Sequence, residues 1–127
     1  MKLAHRFVKN IPQELEDNVL YISMEYSTAI HKCACGCGNQ VVTPFTPTDW
    51  NMTFDGEVIT LYPSIGNWDF PCQSHYWIRE SEIRWAPKWS RKQIEDNRAE
   101  DRLLKKKHYD KDFSFFSFLK KKPPTDR

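Results

Sequence analysis

The chain has 127 residues, of which 39% are hydrophobic, 14% aromatic and 28% charged, with a formal net charge of +2. That length suits one domain, and the composition is that of a soluble globular protein. No run approaches the roughly 20 apolar residues that span a bilayer, and "MKLAHRFVKNIPQELED" lacks the apolar core of a signal peptide; the expected location is cytoplasmic.

The charge is unevenly spread. Residues 1–87 carry 6 basic and 10 acidic side chains, whereas residues 88–127 carry 13 basic and 7 acidic ones. The division expected is a mildly acidic β metal-binding domain over 1–87, followed by a basic helical extension and aromatic tail over 88–127. The acidic body argues against nucleic acid as a partner.

In chain order, "HRFVKNIP" and "VLYISMEYSTAIHKC" are rich in β-branched and aromatic residues and predict strands. "WNMTFDGEVITLY" predicts a hairpin, because Asp55-Gly56 lies between alternating runs and suits a tight primed turn. "HYWIRESEIRWA" predicts a second hairpin that turns near Glu80-Ser81. Together these predict a mainly β fold, a small antiparallel domain. After Pro87, Ser90 stands three residues before Gln93 as a capping box, and a polar helix is predicted from Arg91 to about Lys107. The closing aromatic cluster, Phe113, Phe115, Phe116, Phe118 and Leu119, is expected to pack back on the domain, because its exposure would invite aggregation. The last residues, "KKKPPTDR", are expected to be flexible.

The chemistry concentrates in "HKCACGCGNQ" and "FPCQSHYW". Cys33, Cys35 and Cys37 occupy alternate positions in the first segment, and Cys72 and His75 are spaced C-x-x-H in the second. In a reducing compartment, clustered thiols bind metal or do redox work more often than they form disulfides. Zn²⁺ takes four tetrahedral thiolate or imidazole ligands, often from two short knuckles distant in sequence. Gly36 and Gly38 free the first knuckle to turn tightly. Five candidates compete for four places. The spacing favours Cys33 and Cys35 with Cys72 and His75, leaving Cys37 as a spare thiol, although other pairs within the first knuckle stay open. The plain alternative is a set of buried free cysteines with a hydrogen-bonded histidine.

No H-x-E precedes Pro71-Cys72, and neither H-E-x-x-H, a nucleophile elbow nor a phosphate loop occurs. A closed structural zinc site is therefore the first expectation. A Rieske-like two-iron two-sulfur centre is the competitor, since its C-x-H and C-x-x-H knuckles match at Cys72 and His75; Cys35 stands where its first histidine belongs. Either reading puts two knuckle loops at the tip of a Rieske-like or zinc-ribbon-like β domain.

The pieces "CACGCG", "PSIGNW" and "PCQSHYWI", within Phe7 to Trp85, resemble an uncharacterised bacterial family, a numbered domain of unknown function whose members often carry the name ammonia monooxygenase. The resemblance implies a genomic setting beside bacterial ubiquitin-like proteins, their activating and conjugating enzymes and a JAB-type metalloprotease. It implies an accessory role in protein conjugation, including antiphage defence. The leading expectation is thus a non-enzymatic zinc module binding protein partners, among them the ubiquitin-like protein or its activating and conjugating enzymes. Trp68 and Phe70 of "SIGNWDF" are the candidate contact residues. The alternative is a Rieske-like redox protein or a metal-dependent enzyme.

Overall fold

The described residues form eight short strands and one helix: β1 (Ala4–Phe7), β2 (Val19–Ser23), β3 (Thr28–Lys32), β4 (Gln40–Pro44), β5 (Asn51–Phe54), β6 (Ile59–Gly66), β7 (His75–Arg79), β8 (Glu82–Trp85) and α1 (Arg91–Lys120). The computed structural model describes residues 1–120, with side-chain surroundings through residue 109. The chain divides into two compact units, Met1–Lys88 and Trp89–Arg127.

The first unit holds two four-stranded sheets, ordered β1-β2-β3-β4 and β5-β6-β7-β8. Apolar residues from both sheets share one core. Leu20, Ile22, Ala29 and Val41 come from the first, and Ile59, Leu61, Ile65, Tyr76, Ile78 and Ile83 from the second. The sheets are therefore layers of a small sandwich, each contributing one face to a common interior. Strand β2 is buried along its whole length because its opposite face is also covered: Val19 and Tyr21 pack with Leu15, Val8 and Ile11.

Both predicted hairpins form. At the β5–β6 turn, Asp55 Oδ1 accepts bonds from the amides of Glu57 and Val58, each at 2.8 Å, and Gly56 adopts a positive φ of 97°. At the β7–β8 turn, Glu80 and Ser81 both have positive φ, the geometry of a primed two-residue turn. Not every pair is antiparallel: β1 runs parallel to β2, in register from Ala4↔Val19 to Phe7↔Ile22. The 11-residue connection from Val8 to Asn18 is long enough to return the chain in the same direction.

In the second unit the capping box forms reciprocally, with the Ser90 amide donating to Gln93 Oε1 at 2.7 Å and the Gln93 amide to Ser90 Oγ at 3.2 Å. Helix α1 continues well past Lys107 to Lys120, so the aromatic run is helical. The packing expected of Phe113, Phe115, Phe116, Phe118 and Leu119, and the flexibility expected of "KKKPPTDR" beyond Lys120, lie outside what is described. No helix among the described residues is long and apolar enough to cross a membrane.

Candidate functional site

Two loops, one from each sheet, bring the cysteines together. The β3–β4 hairpin carries Cys33, Cys35 and Cys37. Its neck is closed by the Cys33 amide on the Asn39 carbonyl at 2.8 Å, and Gly36 and Gly38 take φ of 90° and 85°, open to glycine at little cost. The β6–β7 loop carries Cys72, and is closed by the Asn67 amide on the Ser74 carbonyl at 2.8 Å.

All four sulfurs lie within 4.8 Å of one another. The individual separations are 3.5 Å for Cys33–Cys35, 3.8 Å for Cys33–Cys72 and 3.9 Å for Cys37–Cys72. These are far beyond a disulfide, at about 2.05 Å. They match the edge of a tetrahedron around a metal with sulfur bonds of about 2.3 Å, which is about 3.8 Å. The donor set thus fits one thiophilic ion. Polar groups ring the sulfurs as an outer shell would. Ser74 Oγ is 3.1 Å from Cys33 Sγ, the Cys37 amide donates to Cys35 Sγ at 3.3 Å, and Asn39 Nδ2 donates to Cys37 Sγ at 3.3 Å.

Without a cation, neighbouring thiols cannot all ionise. Desolvation, then hydrogen bonding with Cys37, pushes the Cys35 thiol up to about 12. Burial also raises Cys72, but hydrogen bonds with Ser74 outweigh it and bring this thiol down to about 7. Burial and the sense of each hydrogen bond thus set Cys35 and Cys72 apart. A dication removes that conflict by holding thiolates deprotonated.

Of the five expected ligands, the structure brings four together, Cys37 among them. His75 stands outside this group, and the ring is engaged elsewhere. It is the first residue of β7 and pairs across the sheet with Gly66 of β6, so its side chain falls over β6. His75 Nε2 lies 2.9 Å from Ser64 Oγ, and His75 Nδ1 lies 3.0 Å from the carbonyl oxygen of Pro87. A carbonyl can only accept, so Nδ1 carries the proton. In the neutral ring Nε2 is then the acceptor, and the Ser64 hydroxyl donates to it. This is a serine whose proton faces a base that is itself oriented from behind, the arrangement that activates an alcohol as a nucleophile.

The strand geometry explains why Ser64 reaches that position. The β6–β7 register steps from Leu61↔Ile78 to Ile65↔Tyr76, so four residues on β6 oppose two on β7. Ser64 lies within this bulge, which re-aims the side chain. Ser64 is half-buried and His75 is 5% exposed. Trp68 covers the imidazole, with an edge-on ring contact at 5.1 Å. Trp68 and Phe70, the expected contact residues, both line a cleft with Val42, Trp50, Ile65 and Gly66. His31, the histidine beside the first knuckle, is fully buried; its Nε2 is 2.7 Å from the Tyr76 hydroxyl.

Sequence reasoning did not single out Ser64. It lies in "PSIGNW", without a glycine-flanked elbow, and its pairing with His75 depends on a cross-strand register. No curated protein and no solved structure matches the chain. One family model does, over residues 7–86, more than half of the chain; its description is bacterial ubiquitination-like system serine protease (BubE). With a serine–histidine pair in the matched region, and that match covering most of the β sandwich, the chain belongs to the BubE family.

Proposed function

We propose that this protein is a serine hydrolase that cuts a peptide or related acyl bond in a bacterial ubiquitin-like conjugation pathway. The observation that carries this reading is the Ser64–His75–Pro87 chain of hydrogen bonds. Ser64 is the nucleophile. His75 takes its proton during attack and returns it to the leaving group, as the base of a catalytic triad does. The Pro87 carbonyl replaces the usual carboxylate as the group that fixes the ring's tautomer. It cannot neutralise the imidazolium with a full charge, so it orients more than it stabilises. The family description supports a protein substrate in this pathway, a ubiquitin-like protein or a conjugate of it.

Cys33, Cys35, Cys37 and Cys72 are proposed to hold a structural zinc ion, which supplies no chemistry to the reaction and leaves no coordination place open. It ties the β3–β4 loop to the loop that ends in His75. A Rieske centre needs two histidines, and no histidine stands in this group.

The test is labelling with a small fluorophosphonate, read by peptide mass spectrometry. Ser64 should carry the adduct, Ser64→Ala should abolish it without altering the melting temperature, and His75→Gln should slow it by roughly 100-fold or more. A native protein with its metal in place and no adduct at Ser64 would refute the hydrolase reading.

A further inference from the structure

Gly66 is exposed, yet a methyl group there would meet the Trp68 indole at 2.5 Å. No side chain can occupy that position while Trp68 keeps its place. The same indole sets an edge against the His75 ring at 5.1 Å, and it lines the cleft together with Trp50 and Phe70. One side chain therefore forms a common wall between the dyad and a cleft. Gly66 lies two residues beyond Ser64 on β6, about 7 Å along the strand, so the cleft opens within one or two peptide residues of the reacting hydroxyl.

The cleft has a volume of about 190 Å³. Pockets for whole small molecules run from about 300 to 1,000 Å³, so this one suits a single side chain. Val42, Trp50, Ile65, Trp68 and Phe70 give it apolar walls, and Asp69 carries the charge in its lining among the described residues. That carboxylate disfavours an acidic occupant. A strand can also approach from the open side. The β5–β6 pairing ends at Asn51↔Tyr62, and the next carbonyl, that of Pro63, accepts from Trp50 Nε1 at 3.0 Å, which leaves Ser64–Gly66 without a strand neighbour on that side among the described residues. An extended peptide laid along this stretch would present alternate side chains to the cleft.

We infer that the cleft walled by Trp50, Trp68 and Phe70 is a specificity subsite, which seats an apolar side chain of the substrate peptide next to the scissile bond at Ser64. The inference rests on the hydrolase reading and adds to it the kind of residue selected. Gly66 is the enabling residue, since it lets one indole serve both the base and the subsite.

The test uses the full chain, a fluorophosphonate, and p-nitrophenyl esters of N-acetylated glycine, alanine, leucine, phenylalanine, aspartate and lysine. Leucine or phenylalanine esters should exceed the glycine ester in kcat/KM by about 10-fold or more, the range over which an apolar pocket discriminates. Trp50→Ala should collapse that ratio. So should Val42→Trp, which fills the cleft from its exposed rim and leaves the core intact. If the fluorophosphonate labels Ser64 but the ester ratios are flat, the subsite is overturned and the dyad stands. If selectivity exists but both variants keep it, the subsite is likewise overturned. If Ser64 is not labelled, both readings fall.

Discussion

At the scale of single residues, most of the chemistry is carried by side chains whose partners are distant in sequence. The four cysteines were legible as one cluster, because alternate thiols and a distant fourth are the pattern of a candidate metal group. His75 was expected as a metal ligand and stands outside the four-sulfur group; the C-x-x-H spacing suits a zinc knuckle and says nothing of ring direction. Direction shows only in the ring's hydrogen-bond partners, Ser64 Oγ on one nitrogen and the Pro87 carbonyl on the other. The Ser64–His75 pairing was invisible because it arises from a bulge, and a two-residue excess on one strand has no composition signal. One residue-level prediction concerns pH. Backbone hydrogen bonds from Val58, then Glu57, hold the Asp55 carboxyl below its ordinary range. A depressed carboxylate contributes stability above its unfolded value near 3.9, and that contribution is lost as pH falls through the lower, folded value. Melting curves of Asp55→Ala should therefore lie below wild type near neutral pH and converge with it in acid. A constant gap across that range would show that the turn bonds are indifferent to charge.

Among the elements, the two hairpins were read correctly because turn residues and alternation act locally. The parallel pairing of β1 with β2 was not legible: it depends on where the Val8–Asn18 connection returns the chain, a choice made by Leu15, Val19 and Tyr21 packing on the outer face of the sheet. The helix was predicted too short, since a phenylalanine-rich run after a polar stretch has no clear helical periodicity. Its N-terminus was legible, because a capping box is a local signal. Ser90→Ala should cost about 1 kcal/mol of helix stability, with amide exchange accelerating at Arg91 through Ile94 and unchanged in the β sandwich. Loss of protection in the sandwich instead would mean that the two units fold as one.

For the molecule as a whole, the four-thiol group joins the loops of opposite sheets, so an ion held there, as proposed, would link metal affinity to folding. Chelation should lower the melting temperature of the Met1–Lys88 unit by many degrees, and zinc should restore it. Serine replacement of Cys33, Cys35, Cys37 or Cys72 should each reduce the metal content below one ion per chain. His75→Gln should keep the ion while losing fluorophosphonate reactivity. That split separates the structural centre from the reacting pair. If instead Cys37→Ser retains metal and His75→Gln sheds it, the ligand set is the one the spacing alone favoured, and the Ser64 pairing is incidental.

The β6–β7 hairpin has a consequence for the order of assembly. Ser64 and His75 are 11 residues apart, whereas Cys33 and Cys72 are separated by 39. Short-range closure precedes long-range closure when both compete with chain entropy. Serine and base should therefore meet at an early stage, on a hairpin that has not yet joined its neighbouring sheet, and the ion should arrive last, as a clasp. In refolding experiments, amide protection at Ile65 and Tyr76 should precede shielding of Cys33 from alkylation. On the proposed reading, a chain that builds its serine–histidine pair before its metal clasp would pass through a half-closed form, and a shortage of zinc would accumulate it.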